Sequence, residues 1–582
     1  MRSFLNSALV VSLLCASSAA QTAQTSSPKP RKTPAQKPGA RRELTPQQER
    51  AISVLNNLFE RTKEFADDET RIETQAQIAD ALWQYDRQTA RRQFTEAFRS
   101  IERIEDEERT LPDLYTPKNL LRLRLSNLAA KRDADLAEML INSIPESQTK
   151  PDQTSPTKTR GARGSLYLKL ADELIPTDPQ RAANLIPKGF NGRFSIELVS
   201  TLKFLGRKEP EAADKILRRA LSEIQPDPEA PMIDLFAIGQ YFIADYEESA
   251  DHNDAGQKVE PPAEPESIKP VLVEPLLNFA FKAIKIEAAN EQSRMSNGQK
   301  QERMVMFDMI DQGIVEWLAP LFEQHQPERA AFIRSHLGHI ENVIPTAVHQ
   351  ALNAPRPTTI KELLDEAQTK KDPFQKDLLY AEAARKAEEA GDFDQAIAIT
   401  EKLSDKRMGT DVSLIRNSAA INAGDKGDID AAYRYAITLT DPSDQARALC
   451  RIALKSYEKR DLQRANELIN EAEKMIAKFG PTPKKVFALL DVAAAATTIN
   501  PIGGFEFVNT AIAVINQIHA SKTQPGRMNF IRDSMTFEKS LGMLARADFE
   551  RAMRLALAII PGDISALAQL AVCRGALVGP KE

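Results

Sequence analysis

Gly391-Asp392-Phe393-Asp394-Gln395-Ala396 is the stretch that decides the fold, because it recurs. Variants stand at Gly427-Asp428-Ile429-Asp430-Ala431-Ala432, at Arg460-Asp461-Leu462-Gln463-Arg464-Ala465 and at Ala547-Asp548-Phe549-Glu550-Arg551-Ala552. The first three lie 36 and 33 residues apart, and the fourth follows 87 beyond the third, with room for one further unit that Val486 to Ile518 supplies. A period of roughly 33 to 45 residues is the size of one helix-turn-helix unit in a stacked array. The motif has a physical reading. The Gly or its substitute ends one helix at a tight turn, and the Asp caps the next by accepting a hydrogen bond from an early backbone N–H. The following apolar residue and the Ala three positions on share a helical face, and Ala there lets two helices approach closely. The preceding helices carry matching stripes, Leu379, Ala383, Ala387 and Ala390 in one and Leu449, Ile452, Ala453 and Ser456 in another.

Working outward, Leu378 to Leu403, with Ala384, Gly391-Asp392-Phe393-Asp394 and Ala396, resembles a tetratricopeptide repeat, and the units at Asp428 and Asp461 resemble weaker copies. The resemblance implies antiparallel helix pairs stacked in a superhelix whose concave face binds peptides or proteins, and it carries no catalytic residues. The large aromatic usual on the second helix is replaced by Thr400, Ala436 and Ile469. A fainter form runs through the N-terminal half, where an acid is followed four residues later by Ala at Asp86/Ala90, Asp133/Ala137, Asp178/Ala182 and Glu209/Ala213. Each pair sits between two amphipathic runs and reads as a degenerate hairpin of the same kind. Segments of this style resemble the long, uncharacterised helical-repeat proteins that some bacteria export. The expected fold class is therefore all-α, an α-solenoid of stacked antiparallel hairpins, tetratricopeptide-like in the C-terminal half and degenerate in the N-terminal half.

Composition agrees. The 582 residues contain only 23 Gly, against 42% hydrophobic and 27% charged residues, a balance that favours helices and excludes a wholly disordered chain. Residues 1–20 read as a secretory signal peptide: Arg2, a short apolar run from Ala8 to Ala16, then Ser18-Ala19-Ala20 where a signal peptidase cuts. Leu14 directly before Cys15 argues against a lipid-modified cysteine. Residues 21–43 read as a disordered, Pro-rich basic tail in which Lys29, Arg31, Lys32, Lys37, Arg41 and Arg42 meet no acid through Arg42. With the signal peptide removed, the tail carries +6 and the body −12. The tail reads as a spacer, or as an arm for weak contact with an anionic envelope surface, while the acidic body argues against nucleic acid as a general partner.

Breaks in the helical pattern divide the body into N-terminal helical repeats over 44–245 with a flexible insertion at 145–164, an acidic Pro-rich linker at 246–270, a middle helical segment at 271–353 and tetratricopeptide-like repeats over 358–578. Glu287 to Glu302 reads as a further polar break without apolar period, and Ala354 to Thr359 as another. Nothing downstream of the signal peptide offers the ~18 consecutive apolar residues of a membrane span.

The sequence contains no phosphate loop, dinucleotide fingerprint, nucleophile elbow, H-E-x-x-H or C-x-x-C, so it assigns no catalytic, cofactor-binding or metal residue and no cofactor. Four of six histidines, His325, His336, His339 and His349, fall within 25 residues. His336 and His339 are spaced to share one helical face and, with Glu323 or Glu341, a Zn or Cu ion; the alternative is ordinary interhelix histidines on a helix of Phe332, Ile333, Leu337 and Ile340. Asp67-Asp68-Glu69 and Glu105-Asp106-Glu107-Glu108 read as solvated helix ends, and Arg91-Arg92, Arg122 with Arg124, and Arg218-Arg219 as exposed faces or anion contacts. Trp83 and Trp317 read as core anchors, and Cys450 as a buried thiol whose bridging to Cys573 spacing does not decide. The resulting expectation is an exported, periplasmic or extracellular, non-enzymatic scaffold that binds protein or peptide partners through a solenoid groove. The alternative is an envelope or extracellular enzyme on a helical scaffold, polysaccharide-active or metal-dependent.

Overall fold

A computed structural model describes residues 44–104, 116–144, 162–190, 194–242, 268–296, 305–343, 359–405, 411–521 and 537–578. Among them every regular element is helical. In chain order they are α1 (Pro46–Thr62), α2 (Asp68–Leu82), α3 (Arg87–Ile101), α4 (Pro117–Ala130), α5 (Ala134–Asn142), α6 (Ala162–Leu174), α7 (Pro179–Leu185), α8 (Ile196–Gly206), α9 (Pro210–Glu223), α10 (Pro231–Phe242), α11 (Pro270–Ser296), α12 (Val305–His325) and α13 (Pro327–Val343). They continue as α14 (Ile360–Thr369), α15 (Pro373–Glu389), α16 (Phe393–Thr400), α17 (Val412–Asp425), α18 (Ile429–Ile437), α19 (Pro442–Glu458), α20 (Leu462–Ala477), α21 (Pro483–Ile499), α22 (Pro501–Ala520), α23 (Met543–Ala547, entered through a π turn at Glu538–Gly542), α24 (Phe549–Leu557) and α25 (Gly562–Val578). The chain is an all-α solenoid of antiparallel hairpins. The expected signal peptide, the basic tail and most of the 145–164 insertion and the 246–270 linker lie outside the described residues.

The chain divides into two compact units, one of residues 1–39 with 94–354 and one of 40–93 with 355–582. In the first, α4/α5, α6/α7, α8/α9 and α12/α13 are hairpins, and the first helices α4, α6, α8 and α10 pack in series. In the second, α15/α16, α17/α18, α19/α20 and α21/α22 are hairpins, and α17, α19 and α21 pack in series. Ile415 of α17 enters the core of Tyr380, Ala383, Ala387, Ala396 and Ile399 from the preceding hairpin.

The turn chemistry explains why these residues form hairpins. Asp392, Asp428, Asp461 and Asp548 each cap a second helix, accepting from the backbone N–H three residues on at 3.1, 2.9, 3.0 and 2.9 Å. Before the first three the chain closes identically: Asp392, Asp428 and Asp461 donate their N–H to the carbonyls of Ala387, Ala423 and Ser456, five residues back. That closure needs a left-handed residue, supplied by Gly391, Gly427 and Arg460 at φ 75, 83 and 66°. At Asp86, Asp133, Asp178, Glu209 and Asp548 the N–H instead returns four residues to Leu82, Ala129, Leu174, Leu205 and Leu544, and no left-handed residue is used. All eight alanines four positions after a capping residue (Ala90, Ala137, Ala182, Ala213, Ala396, Ala432, Ala465 and Ala552) are completely buried. The two-residue pattern at Asp133, Asp178 and Glu209 is thus the same hairpin start, and at Asp86 the same helix start, although Glu209 makes no side-chain cap.

Three expectations are corrected. Glu287 to Glu302 is not a break throughout, since α11 runs to Ser296. Its polar positions are used in packing: Glu287 is buried, and Asn290 donates to the carbonyl of Pro228, in the loop between α9 and α10, at 2.8 Å. The apolar residue after each capping Asp is a weaker packing element than Ala: Phe549 is buried, Phe393 is half-buried and Leu462 is 52% exposed. Ala390 is likewise exposed, because it is the C-cap of α15 and has left the core-facing stripe.

Candidate interaction face on the first helices

In an antiparallel hairpin array each first helix buries one side against its partner and neighbours and leaves another free. On α15, α17 and α19 that free side is set by register from the capping Asp. Counting back 14, 10, 7 and 3 residues gives one helical face, since these positions are spaced i, i+4, i+7 and i+11. On α15 they are Leu378, Glu382, Arg385 and Glu389; on α17, Leu414, Ser418, Ile421 and Asp425; on α19, Arg447, Arg451, Leu454 and Glu458. None of the twelve is buried. At α21 the count shifts by one, because the Asn500 N–H closes four residues back to Ala496, and the matching positions Phe487, Asp491, Ala494 and Thr498 are likewise not buried.

Two rows stand on this face, an apolar one on α15 and α17, whose place on α19 is taken by Arg447, and an acidic one on all three helices. Near the N-terminal ends stand Leu378 and Leu414, 49% and 59% exposed, with Phe374 one turn before Leu378 at 59%. Water contact by three large apolar side chains in neighbouring repeats is unfavourable, and such clusters mark contact surfaces. At the C-terminal ends, Glu389, Asp425 and Glu458 are each the last helical residue of their helix. A helix C-terminus carries partial negative charge and favours cations, so three acids there cost stability, a cost offset by the C-caps Lys426 and Lys459 that directly follow Asp425 and Glu458. Arg385 pairs with Glu382 and Glu389, and Lys455 lies 3.3 Å from Asp425 and 3.2 Å from Glu458.

Polar bonds hold the repeats in register, one of them made by Arg447 of the face itself. Arg447 of α19 reaches Asp491 of α21 at 2.9 Å, and Lys484 of α21 reaches Asp441, the N-cap of α19, at 2.7 Å. Burial opposes ionisation of Asp441, but Lys484 and the Ser443 hydroxyl and N–H outweigh it and hold the pKa at about 2. Buried Asp377 of α15 accepts from the backbone N–H groups of Ser404 and Asp405 at 2.9 and 2.8 Å, tying the exit of α16 back to α15. Its desolvation would raise the pKa; the two donors reverse the sign and lower it. On the second helices, Tyr433 and Tyr435 of α18 reach opposite neighbours, Glu471 of α20 and Asp394 of α16, at 2.8 and 2.9 Å. Two positions along a helix are about 200° apart, so one helix clamps both sides.

The residues singled out from sequence fall as follows. His325 is exposed and His336 is buried beside Glu291, with Nδ1 to Oε2 at 3.9 Å, whereas His349 and the His339 side chain lie outside the described residues. No group of three or more His, Cys, Asp or Glu able to hold a metal occurs among the described residues. Arg122 is not an exposed anion contact: it is buried, with Glu102 at 2.5 Å and Asn119 at 2.8 Å. Arg219 instead pairs on the surface with Glu223 at 2.7 Å. Asp67 is the N-cap of α2, accepting from Thr70, and the run Glu105 to Glu108 lies outside the described residues. Trp83 is buried with Arg87 over its ring, and Trp317 is half-buried against Phe242. Cys450 and Cys573 are both free and buried, and burial pushes both thiols up, away from reactivity. No described helix is long and apolar enough to cross a membrane.

Sequence reasoning missed the face itself. Its signal was available as a register count from the capping Asp, but exposed Leu in a helix is read as core until burial is known. It also missed the start of α22, where Asn500 caps by accepting from Ile502 and the position four residues on is Gly504, buried. There Asn and Gly stand for Asp and Ala, so the motif hides while its geometry persists.

No protein-family model matches the chain, and no curated protein matches it. Among solved structures, the crystal structure of the APC/C hetero-tetramer Cut9-Hcn1 matches over 90% of this chain and 93% of that one, at 13% identity and a TM-score of 0.17. A TM-score that low carries no argument, and the solenoid assignment rests on the caps, closures and buried alanines described above.

Proposed function

We propose that the protein is an exported scaffold, periplasmic or extracellular and without enzymatic activity, that binds protein or peptide partners on the first-helix face of α15, α17 and α19. The observation that carries this reading is the pairing of buried Ala396, Ala432 and Ala465, which tighten the hairpins, with exposed Leu378 and Leu414, which the hairpins leave in water. A chain that builds tight repeats and still places leucines outside, in equivalent register, has a surface to be covered. Export is supported by the three-part pattern of residues 1–20.

The test is comparative affinity capture from envelope extracts of the producing cell. Wild type should recover a reproducible partner that the double variant Leu378→Lys, Leu414→Lys loses and that Leu462→Lys, Leu557→Lys, exposed on second helices, retains. Equal recovery by all three proteins would overturn the assignment of the face. Export is checked separately by N-terminal sequencing of the secreted product, expected to begin at Gln21.

A further inference from the structure

Independently of the first-helix face, we propose that α25 and α1 form one repeat from distant parts of the chain, a split hairpin, and that this hairpin is a latch that opens and recloses while the other repeats of its unit stay folded. α25 takes the place of a first helix: it packs on the π turn with α23 and on α24, as α21 packs on α19 and α20. α1 takes the place of its second helix. It runs antiparallel to α25, with Gln48 at its start donating to the carbonyl of Leu577 at 3.3 Å and Arg61 at its end donating to Gln569 at 3.4 Å. Its Arg50 reaches Glu550 of α24, the preceding second helix, at 3.0 Å. α2 follows as the next first helix, packing on both α1 and α25, with Tyr85 and Arg574 tying its end to that of α25. The array thus continues from α25 into α1 with no turn joining them, across 529 positions of sequence.

Two features make this junction the first to open. In the other hairpins a short turn keeps the two helices close even when their contacts break, and α25 and α1 have no such tether. The junction also gathers unsatisfied polar groups. Of the five buried side-chain atoms without a protein hydrogen-bond partner among the described residues of this unit, four are Thr74 Oγ1, Gln75 Oε1 and Gln77 Oε1 of α2 and Gln93 Oε1 of α3; the fifth is Ser456 Oγ. Gln75 and Gln93 adjoin Thr62 and Asn56 of α1. Each such group costs stability that an apolar group of the same shape does not. Repeats are held only by their neighbours, so a junction weakened in this way opens ahead of the rest. α1 can leave because it buries a single stripe, Ala51, Leu55, Leu58, Phe59 and Thr62. What it uncovers is α25, a helix apolar nearly all round.

Cys573 reports the opening. It lies four residues after Gln569, on the side of α25 that Arg61 of α1 contacts, and it is completely buried. Cys450 of α19, also free and buried, reports the middle of the array. The full chain lacking residues 1–20 holds no other thiol, so labelling with an aromatic disulfide reagent in native buffer reads both, and Cys450→Ser and Cys573→Ser assign the two phases. Cys573 should react about tenfold faster than Cys450 or more, and amides of 46–62, 68–82 and 562–578 should exchange together and faster than those of 442–477. Leu58→Ala should speed Cys573 by about tenfold or more and leave Cys450 unchanged. Thr74→Val, which removes an orphaned hydroxyl at nearly constant shape, should slow Cys573 by about threefold, a gain that a misfolded protein cannot give. Joining residue 578 to residue 44 through a short Gly/Ser linker, with new termini between residues 250 and 260, supplies the missing turn and should slow Cys573 as well. Equal labelling of the two thiols overturns the latch. So does fast labelling of Cys573 with amide exchange in 46–62 and 68–82 no faster than in 442–477, which would mean that α25 frays alone. An unchanged Cys573 rate in both the Thr74→Val and the joined protein overturns it too.

Discussion

Asp392, Asp428, Asp461 and Asp548 do the same work in four hairpins, and the strength of that work is measurable one residue at a time. Replacing a capping Asp by Ala removes one satisfied N–H at a helix start and costs ~1 kcal/mol. Asp428→Ala should therefore lower the denaturant midpoint without changing its slope. Glu209, which makes no side-chain cap, is the internal contrast, and Glu209→Ala should change the midpoint little. Arg460 holds φ 66° where its equivalents are glycine. A left-handed backbone costs a residue with Cβ roughly 1–2 kcal/mol, partly offset in a Gly variant by the freer unfolded chain. Arg460→Gly is expected to stabilise by about 0.5–1 kcal/mol in the same measurement. Asp441 gives a pH prediction. Its folded pKa lies below its unfolded one, so its contribution is present above the unfolded value of about 3.9 and is lost as pH falls toward 2. Asn keeps the cap but not the charge. The melting temperatures of wild type and Asp441→Asn should differ at pH 5–7 and converge as pH falls from about 4 to 2.

At the scale of elements, close approach is decided by residues without room to grow. A Cβ on Gly504 of α22 would collide with Thr497 and press on the Ala493 carbonyl of α21, and one on Gly575 of α25 would collide with the Gly542 backbone in the π turn. Thr497 is a side chain, but its hydroxyl already donates to Ala493, and the Gly542 contact is backbone that cannot rotate aside. Gly575→Ala should thus cost more than Gly504→Ala, each of order 1–3 kcal/mol by calorimetry. The sequence showed where the hairpins begin because caps and buried alanines are local, four residues apart. It could not show that α11 continues through Glu287 to Ser296. A polar run reads as a break unless its partners are known, and here one partner, Pro228, lies 62 residues away. Arg122 was misread for the same reason, as its Glu102 partner is 20 residues away.

At the scale of the whole molecule, the second unit joins the first hairpin to the last helix. Thirteen residues of α25, from Ile564 to Leu577, are buried, so a helix that is apolar nearly all round needs cover nearly all round. α1 and α2 provide part of it. Gln48 and Tyr85 donate to the carbonyl of Leu577 at 3.3 and 2.5 Å, satisfying a C-terminal acceptor of α25, and Gln47 donates to Ala545 at 3.0 Å. Arg574 joins three elements, donating to the Gln77 carbonyl of α2 at 3.0 Å, lying 3.4 Å from Asp80 and pairing with Glu538 of the π turn. Arg574→Ala removes the link that joins α25 to α2 and the π turn, and hydrogen exchange should rise together in 68–82 and 562–578 while 442–477 keeps its protection. A rise confined to 562–578 would show that α2 is held by other contacts.

What the sequence determined by itself is the hairpin and its period, because capping, chain reversal and Ala-mediated approach each depend on residues within about five positions. Exposure and long-range partnership were decided by the tertiary structure. Leu378, Leu414 and Ile415 are alike as letters, yet two face water and one is buried, according to which neighbouring hairpin reaches them. Part of the cover of α25 comes from residues nearly 500 positions away, and a contact of that span leaves no periodic trace in sequence.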